Sequence, residues 1–240
     1  MQSPDAPVLS VHDDAAFAAA AAATLASELA AAVRERGRAT LALSGGRTPL
    51  AAFAKLAAEP LPWDSIDVLQ VDERCTPPGH EERNAVQIER AFGSLANNGR
   101  FHWIPLDTSP EPRVAARIYS AALTDLAGTP PVIDVLQLVL GNDGHTASLF
   151  PGNSPVLVTP FIGFVPLAAG WPRVTLTLAA INAARRIVWL VDGAERQAPL
   201  RGLLDGDGAV VGSQVRRSDA TIVASRSAID STQRDIQESS

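Results

Sequence analysis

The stretch VIDVLQLVLGNDGHT, residues 132–146, decides how this chain folds. Residues 132–140 form a nearly unbroken apolar run. A strand with that pattern is buried on both faces, as in parallel sheets that carry helices on each side. The run then breaks into Gly141-Asn142-Asp143-Gly144-His145-Thr146, a small, polar loop. The same sequence of events occurs twice upstream. Residues 39–43 lead into Ser44-Gly45-Gly46-Arg47-Thr48, and residues 66–71 lead into Asp72-Glu73-Arg74.

Working outward, residues 101–104 are a weaker strand candidate, and residues 161–165, 174–178, 187–191 and 221–224 are further ones. Helices are expected between them. One carries Leu50, Phe53 and Leu56, with Thr48 as its N-cap and Pro49 as its first residue. Another opens at Pro112 and runs to about Leu126, and a third spans residues 194–204. Near the N-terminus, Phe17, Ala21, Leu25, Leu29 and Val33 recur every four residues, one apolar stripe on a helix. Asp13 or Asp14 can cap that helix and Gly37 can end it. Strands alternating with helices imply an α/β fold with a mostly parallel sheet covered on both faces. No long linker or repeat divides the chain. A single domain is therefore expected over residues 1–228, followed by a polar, frayed tail at 229–240.

The chain has 240 residues, 46% hydrophobic and 19% charged, enough to bury a core without disulfides. Its single cysteine, Cys75, excludes an internal disulfide and any cysteine-rich zinc site. The alanine-rich segment near the N-terminus follows acidic rather than basic residues, the wrong sign for a signal peptide, and Thr24, Ser27 and Glu28 interrupt it as a membrane span. A cytoplasmic protein with no membrane association is expected. The net charge of −6 disfavours nucleic-acid binding. A small anion can still bind where a few cations gather.

In an open parallel sheet the loops after the strand C-termini share one edge, where ligands bind. Three such loops can therefore meet. The first resembles a phosphate cradle: Gly45 and Gly46 allow close backbone approach, Ser44 and Thr48 offer hydroxyls, Arg47 adds charge, and a helix N-terminus follows. Alone, it reads equally as a tight strand-to-helix turn. In the second, Arg74 can grip a phosphate, although a surface ion-pair cluster is the commoner meaning of Asp72-Glu73-Arg74. In the third, His145 can take a proton near neutral pH, with a carboxylate to orient it. His12, His80 and His102 read as structural. No local feature marks a base for Cys75 as a nucleophile. Asp72, Asp143 and His145 lack metal-ligand spacing, so no metal is expected.

Four motifs together carry a family resemblance: LALSGGRTP (residues 41–49), VDERCTPP (71–78), DGHTASLFPG (143–152) and RVTLTLAAIN (173–182) leading into VDG. They resemble the 6-phosphogluconolactonases, which belong with the glucosamine-6-phosphate deaminases and isomerases. The resemblance covers roughly residues 15–205. It implies a Rossmann-like three-layer sandwich with a mostly parallel central sheet, and a cofactor-free hydrolase of a sugar-phosphate lactone in the pentose phosphate pathway. Deaminases resemble HIAFNEP after the histidine, whereas Thr146-Ala147-Ser148-Leu149-Phe150-Pro151 contains no acid, which favours the lactonase. The chain departs from the family pattern at Val139, Arg83 and Arg196, which stand where glycine, serine and lysine are usual.

On this reading His145 activates water at the lactone carbonyl, and Asp143 or Asp72 orients it. Arg74 and Arg196 are the main phosphate contacts. Ser44, Gly45, Gly46, Arg47, Thr48, Gly144 and Thr146 are further substrate contacts. The oxyanion donors are left open between Gly45-Gly46 and the Gly144 loop. A small-molecule lactone is the expected partner, with no nucleic acid or membrane, and a monomer or weak homodimer as the assembly. The rivals are a sugar-phosphate isomerase or deaminase, and a non-catalytic sugar-phosphate binder. The latter would normally carry a basic DNA-binding helix, which this chain lacks upstream of its first strand.

Overall fold

A computed structural model describes residues 6–109 and 111–229. In chain order, β1 (Val8–His12), α1 (Asp14–Arg36), β2 (Ala39–Leu43) and α2 (Arg47–Leu56) come first. β3 (Ile66–Gln70) runs almost directly into β4 (Asp72–Arg74), followed by α3 (Asn84–Ala91), α4 (Gly93–Asn97), β5 (His102–Ile104) and α5 (Pro112–Ala127). After β6 (Val135–Val139) come β7 (Val156–Leu157), β8 (Ile162–Ala168), β9 (Trp171–Leu176), α6 (Leu178–Ala183), β10 (Arg186–Val191), α7 (Gln197–Asp205) and β11 (Ala220–Ser225).

The central sheet has seven strands in the order β1-β11-β10-β6-β2-β3-β5, and every neighbouring pair is parallel. Residues alternate between its faces along each strand. Leu41 and Leu43 of β2 join a core with Phe17, Leu25 and Leu29 of α1 and Phe53 and Leu56 of α2. Ala42 between them joins the opposite core, with Tyr119 and Leu123 of α5, Ile181 of α6 and Leu200 and Leu203 of α7. This is the α/β sandwich that the strand–helix alternation implies.

Several local expectations are corrected. Asp72-Glu73-Arg74 is itself a strand, and residues 161–165 and 174–178 do not extend the main sheet. β4, β9, β8 and β7 form a second, antiparallel sheet. The chain crosses between the sheets at Val71. Its N–H donates to the Leu43 carbonyl of β2 (2.9 Å), and its own carbonyl accepts from the Leu176 N–H of β9 (2.8 Å). α2 begins at Arg47, so Gly46 rather than Thr48 holds the cap position. Gly46 has φ 104°, a turn open to glycine, which lets the helix start two residues early. β1 and α3 carry too short and mixed a pattern to be read from sequence. β1 adds to the sheet edge beside β11, and a buried carboxylate organises α3, as described below.

α1 is the one described helix long and apolar enough to cross a membrane by length and composition. Here Phe17, Ala21, Leu25 and Leu29 of its stripe are buried in the core, while Val33 is half-buried. Gly37 ends it in a left-handed turn and donates to the Val33 carbonyl. Asp13 sits at its N-cap position without a side-chain cap bond. Asp13 instead pairs with Arg226 (2.8 Å), and Asp14 accepts the Ser227 N–H (3.0 Å). Of the expected tail, residues 230–240 lie outside the described residues. Ile229 does not belong to it, since it is 2% exposed and packs in the core.

β5 is only three residues long, so it pairs with β3 no further than Leu69. Tyr119 takes over at Gln70, where its hydroxyl accepts the Gln70 N–H (2.8 Å) and donates to the Gln70 carbonyl (2.6 Å). Tyr119→Phe should therefore leave two buried backbone groups unpaired and cost about 1–3 kcal/mol, read as a lower urea midpoint at unchanged slope.

Candidate active site

β6, β2 and β3 are consecutive neighbours, so the three segments predicted to meet, two loops and strand β4, do lie side by side at one sheet edge. Between them is a cleft of about 180 Å³. Arg47, Arg74, Arg173 and Arg196 line it against a single carboxylate, Asp72. In a chain of net charge −6, that local excess of cations suits an anionic ligand. A larger crevice, about 490 Å³, opens at the opposite edge of the sheet. Its charges answer one another: Asp134 accepts from Arg36 (2.8 Å) and Arg185 (3.2 Å), for example.

The loop after β6 is wound tightly. The Gly141 N–H donates to the His145 carbonyl (2.8 Å), and the Gly144 N–H to the Gly141 carbonyl (3.1 Å). Gly144 turns with φ 82°. Asp143 Oδ1 then receives both the His145 backbone N–H (3.1 Å) and His145 Nδ1 (2.5 Å). Burial alone would raise the Asp143 carboxyl, but these hydrogen bonds and the imidazole outweigh it and hold it below the ordinary value. A proton on Nδ1, fixed by Asp143, leaves Nε2 as the basic nitrogen. Gly141 is required for this geometry: a Cβ there would lie 2.2 Å from His145 Nδ1 and 2.7 Å from Asp143 Oδ1.

Asp72 does not orient His145. It is 4% exposed and accepts from Ser148 Oγ (2.5 Å) and Asn84 Nδ2 (3.2 Å), forming the floor of the cleft. Its neighbour Glu73 is fully buried and builds the wall behind it. Glu73 accepts the N–H groups of Arg74, Asn84 and Ala85, each at 2.8 Å, and so anchors the start of α3. Burial pushes its carboxyl up, while these bonds and the Gln70 amide pull the other way.

The first loop is held from below. Ser44 donates its hydroxyl to the Gln137 carbonyl (3.1 Å) and its N–H to Gln137 Oε1 (2.9 Å). Its hydroxyl proton is therefore donated within the fold, while Ser44 still lines the cleft. Gly45 passes so close to Asn84 that a Cβ would lie 2.0 Å from Asn84 Oδ1. Gly46 donates to Gln87 Oε1 (3.1 Å). Beyond it Arg47 is exposed and Thr48 half-buried, both on the cleft at the N-terminus of α2.

Arg74 donates to the Glu82 carbonyl and faces Arg173 across the β4–β9 pair. Arg173 is 6% exposed, and its Nε donates to the Ala168 carbonyl (3.0 Å). Burial pulls its guanidinium below the ordinary value, nearby Asp72 opposes that, and Arg74 adds to it. Two guanidiniums side by side repel until an anion bridges them. Arg196 is differently employed. It donates to the carbonyls of Leu140 (3.1 Å) and Asp192 (2.8 Å) and pairs with Glu195, tying the ends of β6 and β10 together.

Two expected contacts fall outside the cleft lining. Thr146 is fully buried, with its hydroxyl on the Val139 carbonyl (3.0 Å), and Gly144 packs against Val210. Conversely, Arg173, Asn84 and Ser148 were not singled out as site residues from sequence. Arg173 and Asn84 line the cleft, and Ser148 supports Asp72. The register that sets Arg173 opposite Arg74 is absent from the local pattern of either segment. Among the described residues, no group of three or more His, Cys, Asp or Glu is placed to hold a metal ion.

Residues 12–223 match the family model for glucosamine-6-phosphate isomerases/6-phosphogluconolactonase. A 6-phosphogluconolactonase from Nostoc sp. is 35% identical over 195 residues, covering 78% of this chain and 80% of that protein. One from Mesorhizobium japonicum is 37% identical over 210 residues, covering 83% and 82%. The crystal structure of 6-phosphogluconolactonase from Thermotoga maritima superposes with a TM-score of 0.80 at 25% identity, covering 91% of this chain and 99% of that one.

Cys75 lies beside the cleft, and burial, with Glu73 adding to it, pushes its thiol up to about 11. Only the thiolate is nucleophilic, so alkylation by iodoacetamide should be slow at neutral pH and rise with pH until about 11. A rate that levels off near pH 8 would show an ordinary thiol. Gly141→Ala should drive His145 away from Asp143, seen as loss of the Nδ1–H resonance of the pair by NMR at a stability cost of about 1–3 kcal/mol.

Proposed function

Because the chain belongs to the family of glucosamine-6-phosphate isomerases and 6-phosphogluconolactonases, we propose that it hydrolyses 6-phospho-D-glucono-1,5-lactone to 6-phospho-D-gluconate. The observation that carries this reading is the His145–Asp143 pair at the rim of an arginine-lined cleft. The acid-free run Thr146-Ala147-Ser148-Leu149-Phe150-Pro151 favours the lactonase branch, as do relatives named 6-phosphogluconolactonase at about one-third identity.

The phosphate binds between Arg74 and Arg173, whose mutual repulsion it relieves. Arg47 and the N-terminus of α2 add positive potential. The other end of the sugar then reaches His145. Nε2 takes a proton from water as its oxygen adds to C1, and the carbonyl electrons move onto the oxyanion. As the carbonyl re-forms, the C1–ring oxygen bond breaks, and the imidazolium returns the proton to the departing oxygen. Asp143 holds the ring in the right tautomer and stabilises its charged form. Every proton in this scheme moves between substrate, water and His145, so the reaction calls for no cofactor. Arg196 supports the site by positioning two strand ends. The substrate is a soluble metabolite, in keeping with a cytoplasmic enzyme.

The test is release of 6-phosphogluconate from freshly made lactone, above the spontaneous rate. His145→Ala should lower turnover by roughly a hundredfold or more, with product binding retained. Asp143→Asn should lose turnover, whereas Asp72→Asn should act through the cleft floor and change binding. Arg173→Ala and Arg74→Ala should raise KM for the phosphorylated lactone and leave unphosphorylated gluconolactone little affected. Equal losses on both substrates would move the phosphate elsewhere. A folded wild-type protein that gives no acceleration would leave a sugar-phosphate binder as the reading.

A further inference from the structure

His145 is held at one edge by Asp143 and given room there by Gly141. Phe150 covers the face of the ring. The two rings stack with centroids 4.6 Å apart and 29° between planes. The Arg173 guanidinium also lies over the Phe150 ring, 5.4 Å from its centroid. One aromatic ring thus contacts both the proposed base and a proposed phosphate ligand.

The backbone around Phe150 is stiff. Thr146 and Leu149 exchange hydrogen bonds (3.3 and 2.9 Å) across a tight turn in which Ala147 takes φ 51°. The next turn is closed by the Asn153 N–H on the Phe150 carbonyl (3.1 Å). Ser148, inside the first turn, is pinned to Asp72. The ring is therefore presented by a fixed frame rather than by a mobile loop. Its face is also suited to the chemistry, since an imidazole that gains a proton becomes a cation against an electron-rich surface.

We propose that Phe150 is a positioning residue for proton transfer: its ring sets the plane of His145 so that Nε2 faces the cleft. The inference rests on the hydrolytic reading above. Arg173 is also held by the Ala168 carbonyl and by strand β9, so losing the aromatic face should affect turnover more than binding.

The experiment combines steady-state kinetics with the His145 imidazole Cε1–H resonance, assigned by its absence in His145→Ala. Phe150→Leu should move that resonance by removing the ring current, and lower kcat roughly tenfold to a hundredfold with KM within about threefold. Phe150→Tyr should retain both signal and turnover. Phe150→Met serves if the leucine variant does not fold. Wild-type kcat in a folded leucine or methionine variant would overturn the proposal, whatever the resonance does, as would a loss of kcat that tyrosine fails to rescue. If the wild type does not hydrolyse the lactone, the functional reading fails. The nuclear Overhauser contacts of the His145 Cε1–H with Gly141 and Asp143, kept or lost in Phe150→Leu, then still decide whether Phe150 holds the ring.

Discussion

The parallel hydrogen bonding of β2 between β3 and β6 is the constraint on which the rest of the molecule depends. Parallel strands cannot be joined by tight hairpins, so each must return through a crossover, and their C-terminal ends all point the same way. Three segments far apart in sequence are thereby delivered to one edge. Both faces of these strands are buried, so a slip of register would expose apolar side chains. The same burial that stabilises the sheet fixes where its loops begin.

Close approach does the rest. Gly45 and Gly141 are where backbone passes within contact of Asn84 and of the His145–Asp143 pair. Neither glycine is at a positive φ, so it is space rather than backbone conformation that demands them. The second sheet contributes the other wall. By leaving the main sheet at Val71, the chain places Arg74 beside Arg173 and Asp72 over Ser148. The charges are thus divided: Glu73 is buried and satisfied behind the cleft, Asp72 forms its floor, and guanidiniums front it.

Much of this was legible beforehand. The apolar runs at residues 39–43, 66–71 and 132–140 announced buried strands, and the segments that follow them announced the cleft. His145 could be picked out because it lies in a glycine-bearing loop after such a run, and Arg74 because its guanidinium can pair with a phosphate at the end of another. Less legible were contacts that depend on partners distant in the chain. Ser44 and Thr146 carry hydroxyls that look available, yet each donates its proton to a carbonyl of the same β6 strand. Arg196, expected as a phosphate contact, lines the cleft and also clasps two strand ends together.

The sequence by itself determined the fold class and the sheet edge at which the three segments meet, and it brought His145 forward as the candidate base. Hydrophobic periodicity and glycine placement are local properties that the chain carries with it. Only the tertiary structure decided between Asp143 and Asp72 as the partner of His145, paired Arg173 with Arg74 and set Phe150 against the imidazole. Those outcomes turn on ångström distances between segments that meet only once strand register and helix packing are complete, and no local pattern encodes them.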